Sequence, residues 1–352
     1  MTIGYLDESR IENIPPKNRA AHEFCFRLHD LMAHLVVEMS MGGLSGVSFQ
    51  FQTQEEIDAF ESGMHPLDFL ASTGKGDLER RAVINHASLA MFSDMLHFIY
   101  DGLTALEKRK FSVAFNLLRK PFKEGLPLAA WMCADEEGFF SRLKVDPSGS
   151  FDPRKLDQQK RRDLYRAAAC QSGCKDFIDA DYLDGVVSDR SNSFGLAPLF
   201  DKSTHYVTGN RAIETEAYNI NMIFKNRTDN DVYEGCYKDI AYILFFMHMI
   251  QINIYSRMSS AKKKYINWLI FSTLSVFESL FVTGSSNMLR FMNKEFGEFF
   301  QCPMCEADFR IHKKQAPRFF IMELVECKEC GMTHQFPFNW LLSKVDLDLG
   351  RA

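Results

Sequence analysis

Residues 89–106 read Leu-Ala-Met-Phe-Ser-Asp-Met-Leu-His-Phe-Ile-Tyr-Asp-Gly-Leu-Thr-Ala-Leu. Leu89, Phe92, Leu96, Ile99, Leu103 and Leu106 recur at spacings of three and four, the repeat that lines one side of an α-helix with apolar side chains. The spacing predicts a helix over 78–107 and, with its neighbours, a mainly α protein. On the N-terminal side, an irregular lead-in over 1–16 precedes a helix over 17–40. That helix carries Phe24, Leu28, Leu31, Leu35 and Val36 near one face and is closed by Gly42-Gly43. Val47 to Phe51 alternates like a short strand. On the C-terminal side the helical pattern resumes over 112–132, with breaks expected near Pro121 and Pro127. A charged helix follows over 152–170, then a loop with short elements over 184–210, where the body has its natural point of subdivision.

The two most apolar stretches are 240–255 and 265–282, separated by a run that ends in Lys262-Lys263-Lys264. One reading is a membrane hairpin with a positive turn, which would make the protein a membrane-active effector. The other is a pair of core helices. The first stretch is short for a span and contains His248, Gln251 and Asn253, and the second contains Asn267 and Glu278. These polar residues favour the core reading.

The totals narrow the function classes. The chain has 352 residues, 46% of them hydrophobic, and a net charge of −5. That balance excludes a protein that coats nucleic acid by bulk charge and leaves room only for a local basic patch. Of nine cysteines, Cys25, Cys133, Cys170, Cys174 and Cys236 are scattered, as in a protein of the reducing cytosol. The opening residues hold Asp7 and Glu8 and no apolar run, so a signal peptide is not expected and the protein is placed in the cytoplasm. There is no P-loop, GxGxxG, HExxH or GxSxG.

The other four cysteines form two tight pairs. Cys302-Pro303-Met304-Cys305 is followed, after twenty-one residues, by Cys327-Lys328-Glu329-Cys330-Gly331. Two CxxC pairs at this separation supply four thiolates for one tetrahedral zinc ion, and Pro303 and Gly331 suit the turns that bring both sulfurs of a pair to one ion. Arg318 to Val325 is strand-like, and Met332 to Phe338 is placed to pair beside it. Over about forty residues this segment resembles the zinc-ribbon family. The resemblance implies a structural metal and contact with a nucleic-acid or protein partner. Arg310, His312, Lys313, Lys314 and Arg318 cluster between the cysteine pairs with Phe319 and Phe320 beside them, a mixture suited to phosphate contact and base stacking. Glu306, Asp308, Glu323, Glu326 and Glu329 offset that charge. His312 and His334 are read as neighbours of the metal rather than ligands.

In the body, Arg81-Ala82-Val83-Ile84-Asn85-His86, or Arg80 to His86, resembles the Arg-x4–6-His signature of HEPN ribonucleases. In that family the pair acts on RNA at a dimer interface, with Arg holding phosphate and His as acid or base. The competing reading places His86 on the buried stripe. Asp201 and His205 stand four apart, as an acid/base pair or a structural hydrogen bond. Residues 199–208 with 219–224 are similar to uncharacterised bacterial helical proteins associated with abortive infection, a resemblance that assigns no activity. The expected protein is a helical body over 1–298 with a zinc ribbon over 299–345, contacting nucleic acid or protein in a stress or phage-defence setting. The alternatives are a ribonuclease using Arg81 or Arg80 with His86, and the membrane effector through 240–282. Homo-oligomerisation stays open.

Overall fold

Apolar residues at helical spacing form helices here almost everywhere they occur. The computed structural model describes residues 2–152, 155–209, 214–221, 230–258 and 263–345, and over these the protein is mainly α. The body is built on α1 (Arg19–Met41), α2 (Gly76–Glu107), α3 (Phe111–Lys120), α4 (Leu126–Ala134), α5 (Gln158–Gln171), α6 (Asp231–Met258) and α7 (Lys263–Phe281). The longest apolar run becomes α6. It is buried around its whole circumference from Ile243 to Ile252, as expected for a helix surrounded by protein. It packs against α1, α4, α5 and α7, while α1 and α3 lie against α2.

This placement corrects the membrane-hairpin alternative. Among the described residues no helix is long and apolar enough to cross a membrane. Apart from His248, the polar members of the two stretches are held from within the body. Gln251 Nε2 donates to the Met32 carbonyl at 3.0 Å, and Asn253 Nδ2 donates to the Gln171 carbonyl at 2.8 Å. Residues 259–262 of the basic turn, and residues 222–224 of the abortive-infection resemblance, lie outside the described residues.

Two local expectations differ. Val47 to Phe51 forms no strand. Phe49 and Phe51 instead gather with Phe60 and Phe69 into a ring cluster with centroid separations of 5.3–6.2 Å. The prolines at 121 and 127 do not break the helix between them. Pro121 opens a π-turn over Pro121–Gly125, in which the Leu126 N–H donates to the Pro121 carbonyl five residues back. Proline within a continuous helix cannot donate to the preceding turn, and the helix passes this point as a π-turn rather than breaking. The turn lies hard against α2: a Cβ on Gly125 would fall 2.1 Å from Met95 Sδ and would force that side chain aside.

Buried polar groups tie the ends of the chain to this frame. The Glu23 carboxylate, fully buried in α1, accepts N–H groups of Ile3, Gly4 and Tyr5 at 2.6, 2.8 and 2.8 Å and so orders the lead-in. His248 in α6 is the opposite case. It is fully buried and neither ring nitrogen has a hydrogen-bond partner. Burial, reinforced by the positive charge of Arg27, lowers its pKa from 6.5 to about 3.

The sign of the pH effect follows. The folded pKa of His248 is depressed, so below pH 6.5 the unfolded chain takes up a proton that the folded chain refuses. The neutral ring therefore costs no stability above that pH and an increasing amount below it, about 1.4 kcal/mol per pH unit. We expect His248→Leu to gain stability on the natural protein by roughly 3 kcal/mol as the pH is lowered from 6.5 to 4. Urea unfolding of both proteins across that range checks it; a difference that stays constant would show that His248 is not held neutral.

Candidate metal centre and the groove beside it

After α7 the chain turns into α8 (Asn287–Glu295), then α9 (Ala316–Met322), β1 (Leu324–Glu326), β2 (Thr333–Gln335) and α10 (Phe338–Lys344). The strand expected over 318–325 is thus mostly helix. In a strand Phe319 and Phe320 would point to opposite faces. Both are buried, and helical geometry lets both be covered on one side. Phe320 lies 5.9 Å from Phe271 of α7, and Phe319 lies 5.0 Å from Phe338. Arg318, between Pro317 and these rings, stays exposed. The strand pairing survives only over 324–326, antiparallel to 333–335, with Val325 opposite His334.

Each cysteine pair sits in a small hairpin with the same internal bonding. The Cys302 N–H donates to the Ala307 carbonyl at 2.9 Å and the Glu306 N–H returns to the Cys302 carbonyl at 2.8 Å. In the second pair the Cys327 N–H donates to the Met332 carbonyl and the Gly331 N–H to the Cys327 carbonyl, both at 2.9 Å. The fourth residue after the leading cysteine is left-handed in both, Gly331 at φ +71° and Glu306 at φ +58°. Glycine adopts this conformation at little cost; Glu306 has no such freedom, and nothing in its residue type announced it.

The two hairpins bring the sulfurs of Cys302, Cys305, Cys327 and Cys330 within 4.8 Å of one another, an arrangement able to hold one metal ion. Cys302 Sγ is 3.7 Å from Cys330 Sγ, and Cys305 Sγ is 3.7 Å from Cys327 Sγ. Four sulfurs on metal bonds of about 2.3 Å form a tetrahedron with edges of about 3.8 Å. A disulfide would need sulfurs about 2.05 Å apart, and all nine cysteines are free thiols. His334 Nε2 lies 3.1 Å from Cys302 Sγ, beside the sulfur rather than among the four. Desolvation raises the Cys302 pKa, but the N–H groups of Met304 and Cys305, with the Cys305 and Cys330 thiols, outweigh it and bring it down to about 6. The Ala307 N–H favours a Cys305 thiolate, yet burial and the neighbouring thiols push Cys305 up to about 12. Cys302 therefore ionises first, with Cys305 and Cys330 held protonated beside it until a cation balances them.

Compared with family models, curated proteins and solved structures, the chain matches none. The site must be read from its own residues.

A second feature adjoins the metal centre. Arg290 and Lys294 stand four apart on exposed positions of α8. Between them Asn293 hooks the inter-cysteine loop: its Oδ1 accepts the Ile311 N–H and its Nδ2 donates to the Ile311 carbonyl, both at 2.9 Å. That clasp lays Arg310 and Lys313 alongside α8. The resulting groove of about 550 Å³ has Arg290, Lys294, Arg310, His312 and Lys313 in its walls and no carboxylate. Lys313 also donates to the carbonyls of Val282 and Gly284 at the end of α7. The N-terminus of α8 is already satisfied, because the buried Glu278 carboxylate accepts the N–H groups of Asn287 and Met288 at 2.8 and 2.9 Å.

The expected contact residues are therefore regrouped. Arg310 and Lys313 enter the groove, while Lys314 and Arg318 are exposed outside its walls. Phe319 has no exposed surface, so it has no ring face to offer a base, and Phe320 is 2% exposed. Arg290 and Lys294 were missed because they lie outside the cysteine segment; the signal was their spacing of four on a short amphipathic helix. In the body, Arg81 is committed to Glu136 through two hydrogen bonds of 2.8 and 3.2 Å, and Arg80 pairs with Asp77, Glu136 and Glu137. His86 is exposed rather than packed on the buried stripe, which runs through Ile84, Ser88, Phe92 and Met95. Five helical residues turn about 140°, so Arg81 and His86 project from different sides of α2. Asp201 is bound by Arg190 at 2.6 Å rather than by His205, which is exposed.

Replacing Cys327 with Ser removes one of the four donors and disturbs the hairpin that leads into β2. We expect residues 300–336 to become open to limited proteolysis, while the far-UV helical signal, carried mainly by α1 to α7, stays close to that of the natural protein. Mass mapping of the cleavage sites together with circular dichroism checks both; a collapse of helicity would show that the body depends on the metal centre.

Proposed function

We propose that the protein binds one structural zinc ion through Cys302, Cys305, Cys327 and Cys330 and uses the groove between α8 and the inter-cysteine loop to hold a nucleic-acid backbone. Four thiolates are the donor set that zinc prefers for structural sites, and they close its coordination sphere against water and substrate. The metal is then an anchor, and any binding lies beside it.

The observation that carries the reading is the carboxylate-free wall of Arg290, Lys294, Arg310 and Lys313 in a chain whose net charge is −5. Cations gathered on one side of an acidic protein attract a polyanion locally without coating it. The adjoining hollow toward the second cysteine pair shares Lys294 and Arg310 and adds Lys328, but its four carboxylates, Glu298, Asp308, Glu326 and Glu329, make it less favourable to phosphate than the stretch between Gly284 and Lys313. With Phe319 buried, contact is through phosphates, which position a strand without reading its bases.

The protein should carry about one zinc per chain when purified under reducing conditions without chelator. Fluorescence anisotropy with labelled single-stranded RNA and DNA at low salt tests the groove. Arg290→Ala with Arg310→Ala should weaken binding and flatten the salt dependence by about two units, with little change in sequence preference. Lys314→Ala with Arg318→Ala should do less. Absence of binding at tens of micromolar zinc-loaded protein would remove the nucleic-acid reading.

A further inference from the structure

A cavity of about 340 Å³ opens far from the cysteines, between the π-turn Pro121–Gly125, α4, the start of α5 and Arg190. One wall is apolar, made by Pro127, Leu128, Trp131 and Phe151. The lining also carries Lys123, Arg161 and Arg190, with the carboxylates of Glu124 and Asp157. Its size, and its combination of an apolar surface with a few converging polar groups, are those of a small-molecule site. The metal and the groove account for none of it.

The charges around this cavity do not cancel locally. Asp201 is shared by Arg190 at 2.6 Å and Lys123 at 3.6 Å. Asp184 is shared by Arg161 at 2.7 Å and Arg162 at 3.4 Å. Glu124 faces Arg119 at 3.6 Å, and Asp157 caps α5 by accepting the Lys160 N–H at 2.8 Å. Each of these carboxylates is thus already engaged. The Lys123 ammonium, by contrast, is covered, and among the described residues its one charged partner is Asp201, at 3.6 Å, beyond hydrogen-bond distance. Burial lowers its pKa, with Arg190 and Arg119 adding to the effect and Asp201 opposing it. An ammonium held this loosely is poorly satisfied, and a turn of the flexible lysine side chain would bring it to an anionic oxygen in the cavity. The residue sits in a π-turn, a backbone irregularity found frequently at functional sites. Trp131 is fixed as a rigid wall, with Lys160 over its ring at 3.9 Å and Phe151 edge-on at 5.5 Å.

We propose that this cavity binds a small phosphate monoester bearing a flat ring, represented by a nucleoside monophosphate. The two guanidinium groups and the ammonium match the charge and the several oxygens of a phosphate better than the single charge of a carboxylate. The apolar surface of Leu128 and Phe151 takes the ring; Trp131, 4% exposed, supports that surface from within.

The test uses the full-length, metal-loaded protein titrated calorimetrically with AMP, GMP, CMP and UMP, and with adenosine and inorganic phosphate as the two halves of the ligand. At least one monophosphate should bind, and each half should bind at least tenfold more weakly. Lys123→Met should weaken monophosphate binding at least tenfold. In the same variant the ligand-free Tm should hold or rise, because Asp201 keeps Arg190 as its partner. Arg190→Gln, at the half-exposed mouth, should also weaken binding and carries the test if Lys123→Met does not fold. Arg290→Ala with Arg310→Ala should leave monophosphate binding unchanged, which separates this site from the groove. No binding of any monophosphate at millimolar concentration, or natural affinity in both Lys123→Met and Arg190→Gln, would overturn the proposal. Inorganic phosphate binding as tightly as the nucleotides would overturn the ring-bearing ligand.

Discussion

Glu107, a carboxylate at the end of α2, is almost wholly inside the protein, and the packing of the body turns on how it is satisfied. Arg10 donates to it through Nη2 at 2.6 Å and Nε at 3.0 Å. His22 Nε2 lies 3.3 Å away on its other side, and His22 Nδ1 meets the Tyr237 hydroxyl at 2.8 Å. Burial disfavours the charged form of Glu107, but His22 and Arg10 together hold its pKa below the ordinary range. Burial keeps His22 neutral. The protonation pattern then follows: the Tyr237 O–H donates to Nδ1, and the Nε2–H donates to Glu107. One chain of hydrogen bonds thereby connects the lead-in, α1, α2 and α6. A buried charge lacking any of these partners would be strongly destabilising, so the relative placement of the three longest helices is closely specified.

What could be read beforehand, and what could not, separates along the range of the interactions. Helix α2 was visible because its stripe is a local repeat, and α6 and α7 were visible as apolar runs. Their polar members then decided between core and membrane correctly, since Gln251 and Asn253 have partners within the body. Errors came where a short apolar run has no periodicity long enough to discriminate. Phe49 and Phe51 alternate like a strand but have only rings, not a partner strand, to meet. Phe319 and Phe320 are helical because each finds rings to pack on, Phe320 against Phe271 of α7 and Phe319 against Phe300 and Phe338. The misplacement of His86 has a geometric origin: the stripe through Phe92, Leu96 and Ile99 is buried as drawn, but toward the N-terminus it continues through Ser88 and Ile84, and His86, two residues from each, falls on the exposed side.

The four-cysteine cluster was legible because two CxxC pairs constrain geometry almost by themselves. The groove was not, because it is assembled from α8 and a loop some twenty residues away, joined by the single amide of Asn293. The cavity beside Lys123 was less legible still. Of its cations only Arg161 lay in a segment singled out beforehand for its charge, the helix over 152–170, and only the fold brings Lys123 and Arg190 beside it.

The position of Lys123 follows from the π-turn at Pro121–Gly125. An α-helix advances about 100° per residue, so one extra residue in an otherwise continuous helix re-phases everything beyond it. The α4 side chains are thus indexed to α3 with an offset of about a quarter turn, and the offset helps select which residues of α4 face the cavity. The cavity and an ordinary helix–helix contact are one residue apart in the genetic sense. A single-codon deletion within 121–125 would leave the helix a helix, yet rotate α4 about its own axis and bring a different set of side chains to the wall that Trp131 now forms.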